Sequence, residues 1–285
     1  MTQTVNKENN TNELTYEAKK AALEEILDNV VNKDVMVAFS GGVDSSALLK
    51  LVCSRAATFH TTVYAVTIHT KLHPVGEIEE AAKVAGEIGA VHKVVEVDEL
   101  AEAGILNNPE NRCYLCKHCL FTRVKELAEK LGVTCMMDGT NYSDLFVYRP
   151  GLQALKELGV LSPLKEAGFT KADVRRLAAE YGLSVSDKPA MPCLATRFPY
   201  NTPLSYEKMH QADLAEKAIR TLGFYNVRVR VHNDIARIEV DAKYLEEVLK
   251  HRETIVSQLK DCGFDYVTLD LEGFCSGSMD KKIAK

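Results

Sequence analysis

Ser40-Gly41-Gly42-Val43-Asp44-Ser45-Ser46 lies directly between an apolar run, residues 35–39, and a stretch with helical spacing, residues 47–52. Glycines let the backbone close on an anion, serine hydroxyls and free amides donate hydrogen bonds, and a helix start supplies positive potential. That combination is a phosphate cradle, whose plainer reading is a serine-capped glycine turn. It lacks the lysine and spacing of G-x-x-x-x-G-K-[ST], so it is not the loop of the usual kinases and GTPases. A second cluster, Arg112-Cys113-Tyr114-Leu115-Cys116-Lys117-His118-Cys119, sets thiols at two successive C-x-x-C intervals. That interval can grip one metal ion or one iron–sulfur cluster. A structural zinc knuckle, or cysteines incidental to a helix start, are its plainer readings. A third segment, residues 186–199, holds Cys193 among prolines that shape the backbone, with Lys188 and Arg197 favouring its thiolate. A buried cysteine at a domain junction is the alternative there.

These residues need a scaffold, and the chain supplies an alternating one. Strands are predicted at residues 35–39, 62–68, 92–97 and 134–137, and helices at 14–31, 45–53, 77–88, 120–131 and 171–181. The βαβα rhythm predicts an α/β fold: a parallel sheet with helices on both faces and ligands outside the carboxyl ends of the strands. The rhythm changes near residues 199–203, an interdomain hinge by this reading. A helix (206–222), a hairpin (227–231 and 235–240), a helix (243–259) and a strand (266–271) then make a small α+β domain. The expected organisation is a disordered tail at 1–13, a nucleotide domain at 14–200 and a substrate-binding or oligomerisation domain at 201–285.

The 285 residues, 46% hydrophobic and 26% charged, fit a globular protein with an ample core. No apolar run is long enough to span a bilayer, and the polar first residues do not read as a signal peptide, so a cytoplasmic location is expected. In that compartment clustered cysteines point to metal or redox chemistry rather than disulfides. A formal net charge of −5 argues against a broad nucleic-acid surface and suits a small anionic substrate.

The S-G-G-x-D-S loop resembles that of the PP-loop ATP pyrophosphatases, the adenine nucleotide α-hydrolase-like fold. Together with the RCYLCK block, Asp138-Gly139-Thr140-Asn141, Asp144, Arg149-Pro150-Gly151, Ser162-Pro163-Leu164 and SDKPAMPCLATRFPYNTPLS, it makes the chain similar to the LarE family over residues 14–273. The resemblance implies ATP-dependent adenylation of a carboxylate of pyridinium-3,5-biscarboxylic acid mononucleotide, then sulfur insertion in nickel-pincer nucleotide biosynthesis. It also implies a [4Fe–4S] cluster on Cys113, Cys116 and Cys193, carrying an extra sulfide. Members that lack the first pair sacrifice the sulfur of the cysteine at the Cys193 position instead. Homo-oligomerisation and a sulfide donor belong to the same expectation.

For the nucleotide, Ser40, Gly41, Gly42, Val43, Ser45 and Ser46 are expected to hold phosphates, and Asp44 to position Mg2+. Asp138, with Gly139 and Asn141, lies at a strand end beside the loop, or is simply a turn acid. Arg149 is assigned to the departing pyrophosphate and Thr67 to adenine. Arg197, Arg228 and Arg230 are assigned to the anionic groups of the substrate, unless the hairpin arginines pair with Glu239. Cys193, Asp44, Ser45 and Asp138 form the expected catalytic set. The rival readings are a tRNA thiolation enzyme, a GMP- or NAD-type synthetase, and an ATP-binding protein with structural zinc.

Overall fold

The computed structural model describes residues 14–70, 77–146, 149–185, 193–275 and 277. The expected tail and the part of the cysteine loop with Lys188 lie outside the described residues. Helix α1 (Tyr16–Asp28) precedes β1 (Val35–Ala38), α2 (Val43–Ala56), β2 (Val63–His69), α3 (Glu77–Ile88) and β3 (Val91–Glu96). The short α4 (Glu99–Glu102), the long α5 (Arg112–Leu131) and β4 (Cys135–Met137) follow. A 3-10 turn at Tyr142–Phe146 leads to α6 (Gly151–Glu157), α7 (Pro163–Glu166) and α8 (Lys171–Glu180). Beyond a second 3-10 turn, Leu194–Arg197, lie α9 (Tyr206–Thr221), β5 (Val227–His232), β6 (Ile235–Val240), α10 (Leu245–Lys250), α11 (Arg252–Asp261) and β7 (Tyr266–Leu269).

The first four strands form a parallel sheet in the order β3-β2-β1-β4. Alternation along β1 splits the core in two. Val35 and Val37 join Leu23, Leu27, Leu48, Leu51 and Leu177 on one face, while Met36 joins Val66, Phe121, Val124 and Met136 on the other. Helices cover both faces, so the central strand reads as an unbroken apolar run. The C-terminal sheet, β5-β6-β7, is mixed: β5 and β6 pair antiparallel, β6 and β7 parallel. Its hairpin turns at Asn233, whose φ of 58° is one that asparagine tolerates.

Two local expectations change. Helix α5 begins at Arg112 rather than Leu120, so all three clustered cysteines are helical. The long helix expected at 243–259 is broken at His251 into α10 and α11. The stretch at 199–203 is stitched down: the Asn201 amide donates to the Asn108 carbonyl at 2.9 Å, and Asn108 Nδ2 donates to the Pro199 carbonyl at 2.6 Å. Ile105, Leu194, Ala195 and Phe198 are buried in the C-terminal core with Met209, Val229 and Leu259.

Glu216 and Glu99 are two of the carboxylates that are almost fully buried. Glu216 on α9, 1% exposed, takes both ends of Arg197 at 2.7 and 2.9 Å, accepts from the Val229 amide at 3.0 Å and pairs with Arg220 at 2.7 Å. Burial resists its charge, but Arg197 outweighs burial and holds its carboxyl below the usual range. Glu99, also 1% exposed, has no arginine or lysine against it among the described salt bridges, and burial pushes its carboxyl up to about 7.

Glu216→Ala leaves Arg197 buried without its carboxylate and is expected to cost ~3–5 kcal/mol in urea denaturation. For Glu99, the folded state binds the proton more tightly than the unfolded chain, where a glutamate titrates near ~4.3. The resulting penalty is absent at low pH and grows as pH rises through about 7. Glu99→Gln should therefore leave stability unchanged near pH ~4 and raise it by ~1–3 kcal/mol above pH ~8, measured by denaturation across that range.

Candidate active site

A cavity of about 820 Å³ opens at the carboxyl ends of β1, β2 and β4. Its wall takes Ser40, Asp44, Ser45, Thr67, Asp138, Gly139 and Arg149 from the expected set, and adds Lys117, Thr140, Asp144, Tyr206 and His210. The loop is preformed. Gly41 adopts φ 70°, and a Cβ there would stand 3.3 Å from Ala81 Cα, so the loop lies tight against α3. Gly42 caps α2 without a side chain, which leaves the first amides of the helix for a ligand. Ser45 Oγ donates to the Gly42 carbonyl at 3.2 Å, accepts from the Ser40 amide at 3.3 Å and lies 3.2 Å from Ser40 Oγ. Ser46 is fully buried with its hydroxyl unpartnered among the described residues, and Val43 is buried in the core.

The loop after β4 meets this start at van der Waals limits. A Cβ on Gly139 would fall 2.8 Å from the Ser45 nitrogen, so only glycine lets the two backbones touch. Asp138, 5% exposed, accepts from the Ser162 hydroxyl at 2.6 Å and from the Thr140 hydroxyl, with Lys117 Nζ at 3.6 Å. Asp44 accepts from Asn141 Nδ2 at 3.0 Å and forms an ion pair with Lys171. Arg149 pairs with Asp144 at 2.8 Å. Thr67 donates to the Phe39 carbonyl at 2.8 Å, so its oxygen is left to accept from His92 Nε2, also at 2.8 Å.

The cysteines gather where α5 meets the 3-10 turn that follows Cys193. Cys116 packs on the C-terminal core, as does Cys193. Burial drives both thiols well above their ordinary range, and Cys113, Cys116 and Cys193 lie close enough that their negative charges would repel. Arg112 stands between them: one guanidinium nitrogen reaches Cys113 Sγ at 3.7 Å, another donates to the Ala195 carbonyl at 3.2 Å and to Asn108. Its charge favours the Cys193 thiolate. Cys119, one helical turn on, faces away into a groove with Glu102, His118 and Arg123. Among the described residues no group of three or more His, Cys, Asp or Glu closes on a single metal ion. The donor set instead offers three thiols and a buried cation, a chemistry that suits an anionic thiolate-held cluster larger than one ion.

The expected substrate arginines lie apart from the cavity wall, Arg228 and Arg230 on β5 of the C-terminal sheet and Arg197 in the 3-10 turn beside it. Arg197 is held by Glu216, and Arg230 by Glu239 at 2.8 and 3.0 Å and by the Thr196 carbonyl at 2.8 Å. Arg228, 9% exposed, donates to its neighbour's carbonyl at 2.7 Å and stacks on Phe274 at 5.3 Å. Burial, with Arg197 adding repulsion, pushes it down to about 10. Lys117, Lys171, Tyr206 and His210 were passed over by the motifs; Lys117 sits inside the quoted cysteine block, whereas the other three have no sequence signal.

Comparison with known proteins agrees with this geometry. A PP-loop domain family matches residues 15–106. The pyridinium-3,5-bisthiocarboxylic acid mononucleotide synthase of Lactiplantibacillus plantarum is 40% identical over 271 residues, 95% of this chain and 97% of that protein. An uncharacterized Synechocystis protein is 39% identical over 88% of this chain and 93% of its own. A tRNA-specific 2-thiouridylase of Rickettsia typhi shares 28% identity over 54% of this chain and 52% of its own. Among the described residues no helix is long and apolar enough to cross a membrane. With the PP-loop domain match and near full-length similarity, the chain belongs to the LarE family of PP-loop proteins, that of pyridinium-3,5-bisthiocarboxylic acid mononucleotide synthase.

Proposed function

We propose that this protein is an ATP-dependent sulfurtransferase that converts a carboxylate of pyridinium-3,5-biscarboxylic acid mononucleotide into a thiocarboxylate. The observation that carries this reading is the meeting of two chemistries along one helix. Helix α5 offers Cys113 and Cys116 to the Cys193 loop and, one residue on, Lys117 to the phosphate cavity.

In this reading the amides of residues 40–46 hold the triphosphate, and Asp44 faces the Mg2+ that accompanies it. The substrate carboxylate attacks the α-phosphorus, pyrophosphate departs, and the acyl-AMP carbon becomes open to sulfur. Arg149, on the cavity rim with half its side chain exposed, neutralises the departing charge. Arg197, Arg228 and Arg230 are assigned to the substrate's anionic groups as a cluster apart from the phosphate cavity, in which Arg197 and Arg230 are engaged by carboxylates and Arg228 is stacked on Phe274. Thr67, locked between Phe39 and His92, shapes the adenine side of the cavity.

Cys113, Cys116 and Cys193 would hold a [4Fe–4S] cluster. When bound, such a cluster would supply sulfide for the acyl-AMP carbon, with AMP as the leaving group. Cys116 and Cys193 are partly buried against the C-terminal core, which limits the access of water to that side of the site, and Arg112 offsets the negative charge that three thiolates bring together. A homo-oligomer in the cytoplasm, reloaded by an external sulfide donor, completes the reading. Among the described residues, the cavity wall carries only Lys117 and Arg149 as lysine or arginine, which does not favour a tRNA substrate.

Protein purified without oxygen should contain about four irons and matching acid-labile sulfide per chain, with both lost in Cys113→Ala and Cys193→Ala. Zinc in their place would support a structural knuckle, and an absence of metal would support sacrifice of the Cys193 sulfur. Cys193→Ala should also abolish thiocarboxylate formation while leaving ATP affinity within about twofold; retained product would remove Cys193 from the sulfur path.

A further inference from the structure

Among the described residues the cavity wall carries more carboxylates than cations. Asp44, Glu79, Asp138 and Asp144 line it, against Lys117 and Arg149. Both of these cations already face carboxylates, Lys117 on Asp138 and Arg149 on Asp144. A third pair stands at the phosphate loop itself, where Lys171, the first residue of α8, reaches across to Asp44 in the first turn of α2. Lys171 is 38% exposed in its side chain and Asp44 25%. A pair so open to solvent is weak and exchanges partners readily.

The backbone beneath Lys171 is anchored. Its amide donates to Ser143 Oγ at 3.0 Å, and Thr170 caps the helix in a reciprocal box with Asp173. Asn141, which holds the other oxygen of Asp44, keeps its own Oδ1 buried and unpartnered among the described residues, as Ser46 does its hydroxyl. Asn141 and Lys171 thus hold the two oxygens of one carboxylate, Asn141 on Oδ1 and Lys171 on Oδ2, at the first turn of α2.

We propose that Lys171 is a phosphate-binding residue of this site, parked on Asp44 in the free protein and transferred to the β- and γ-phosphates when a nucleotide with its divalent cation enters. The exchange is charge-balanced: the incoming cation takes the Asp44 carboxylate, and the released ammonium takes the phosphates. An ammonium on four rotatable bonds with a fixed base suits such a short swing. The role rests on the nucleotide reading of the loop and adds to it the cation that the motif itself lacks.

The test is calorimetric titration of wild type, Lys171→Met and Lys171→Arg with ATP, AMP and inorganic pyrophosphate, all with Mg2+. Lys171→Met is expected to weaken ATP and pyrophosphate by ~10–100-fold and AMP by less than about twofold, with Lys171→Arg recovering most of the loss. Equal losses for ATP and AMP would mark Lys171 as merely structural and overturn the proposal, as would unchanged ATP affinity. Should Lys171→Met not fold, Lys171→Gln, which keeps a hydrogen-bonding end without the charge, carries the same comparison. Wild type that binds neither ATP nor pyrophosphate removes the nucleotide reading and this role together; wild type that binds both while Lys171→Met matches it removes this role alone.

Discussion

The contact between Gly139 and the amide of Ser45 governs the geometry of this protein. Strands β1 and β4 are neighbours in register, Val37 opposite Met137, so their carboxyl ends deliver two loops to one point. The gap there is too small for any Cβ. Asp138, Thr140 and Asn141 consequently arrive at the first turn of α2 as a block, and the hydrogen bond from Asn141 to Asp44 ties the two loops side chain to side chain. Moving either loop by the width of a methyl group would separate the acids of the cavity from the amides that face them.

From that point the order spreads through α5. Its Lys117 reaches Asp138, and its first turn lies so close to α6 that a Cβ on Gly151 would fall 2.9 Å from Lys117 Cδ and 3.3 Å from the Cys113 carbonyl. The opposite side of the same turn packs Leu115 and Cys116 on the C-terminal core. A single helix therefore carries the positional information of the phosphate loop to the thiols. The C-terminal unit completes the assembly with Tyr206, which lines the cavity, receives the Leu100 amide at 3.4 Å and donates to Asp98.

Much of this was legible in the sequence because burial on both faces writes central strands as apolar runs, and because a phosphate loop has few chemical solutions. Strand β1 and helix α3 fall where periodicity places them. The first turns of α5 were hidden since Cys, Tyr, Lys and His at 113–118 show no apolar repeat; their helical state comes from contacts with α6 and the C-terminal core. The break at His251 has neither glycine nor proline to announce it. At the site, Asp138, Gly139 and Asn141 were readable from their motif, whereas Lys171 meets Asp44 across 127 residues, a tertiary pairing that no local pattern encodes. Arg197 and Arg230 looked like ligands for an external anion; Glu216 and Glu239, distant or on the partner strand, are the anions they meet.

The azimuths of α5 carry one more consequence. Cys116 faces the C-terminal core, Lys117 the nucleotide cavity and Cys119 an outer groove, three directions set within four residues. An α-helix turns by about 100° per residue, so one residue inserted or deleted between Arg112 and Phe121 would swing the groups that follow it by that angle relative to those before it. Side chains along this segment can be exchanged one at a time, but its length cannot drift, and natural variation in chain length among such proteins must be accommodated in the loops on either side.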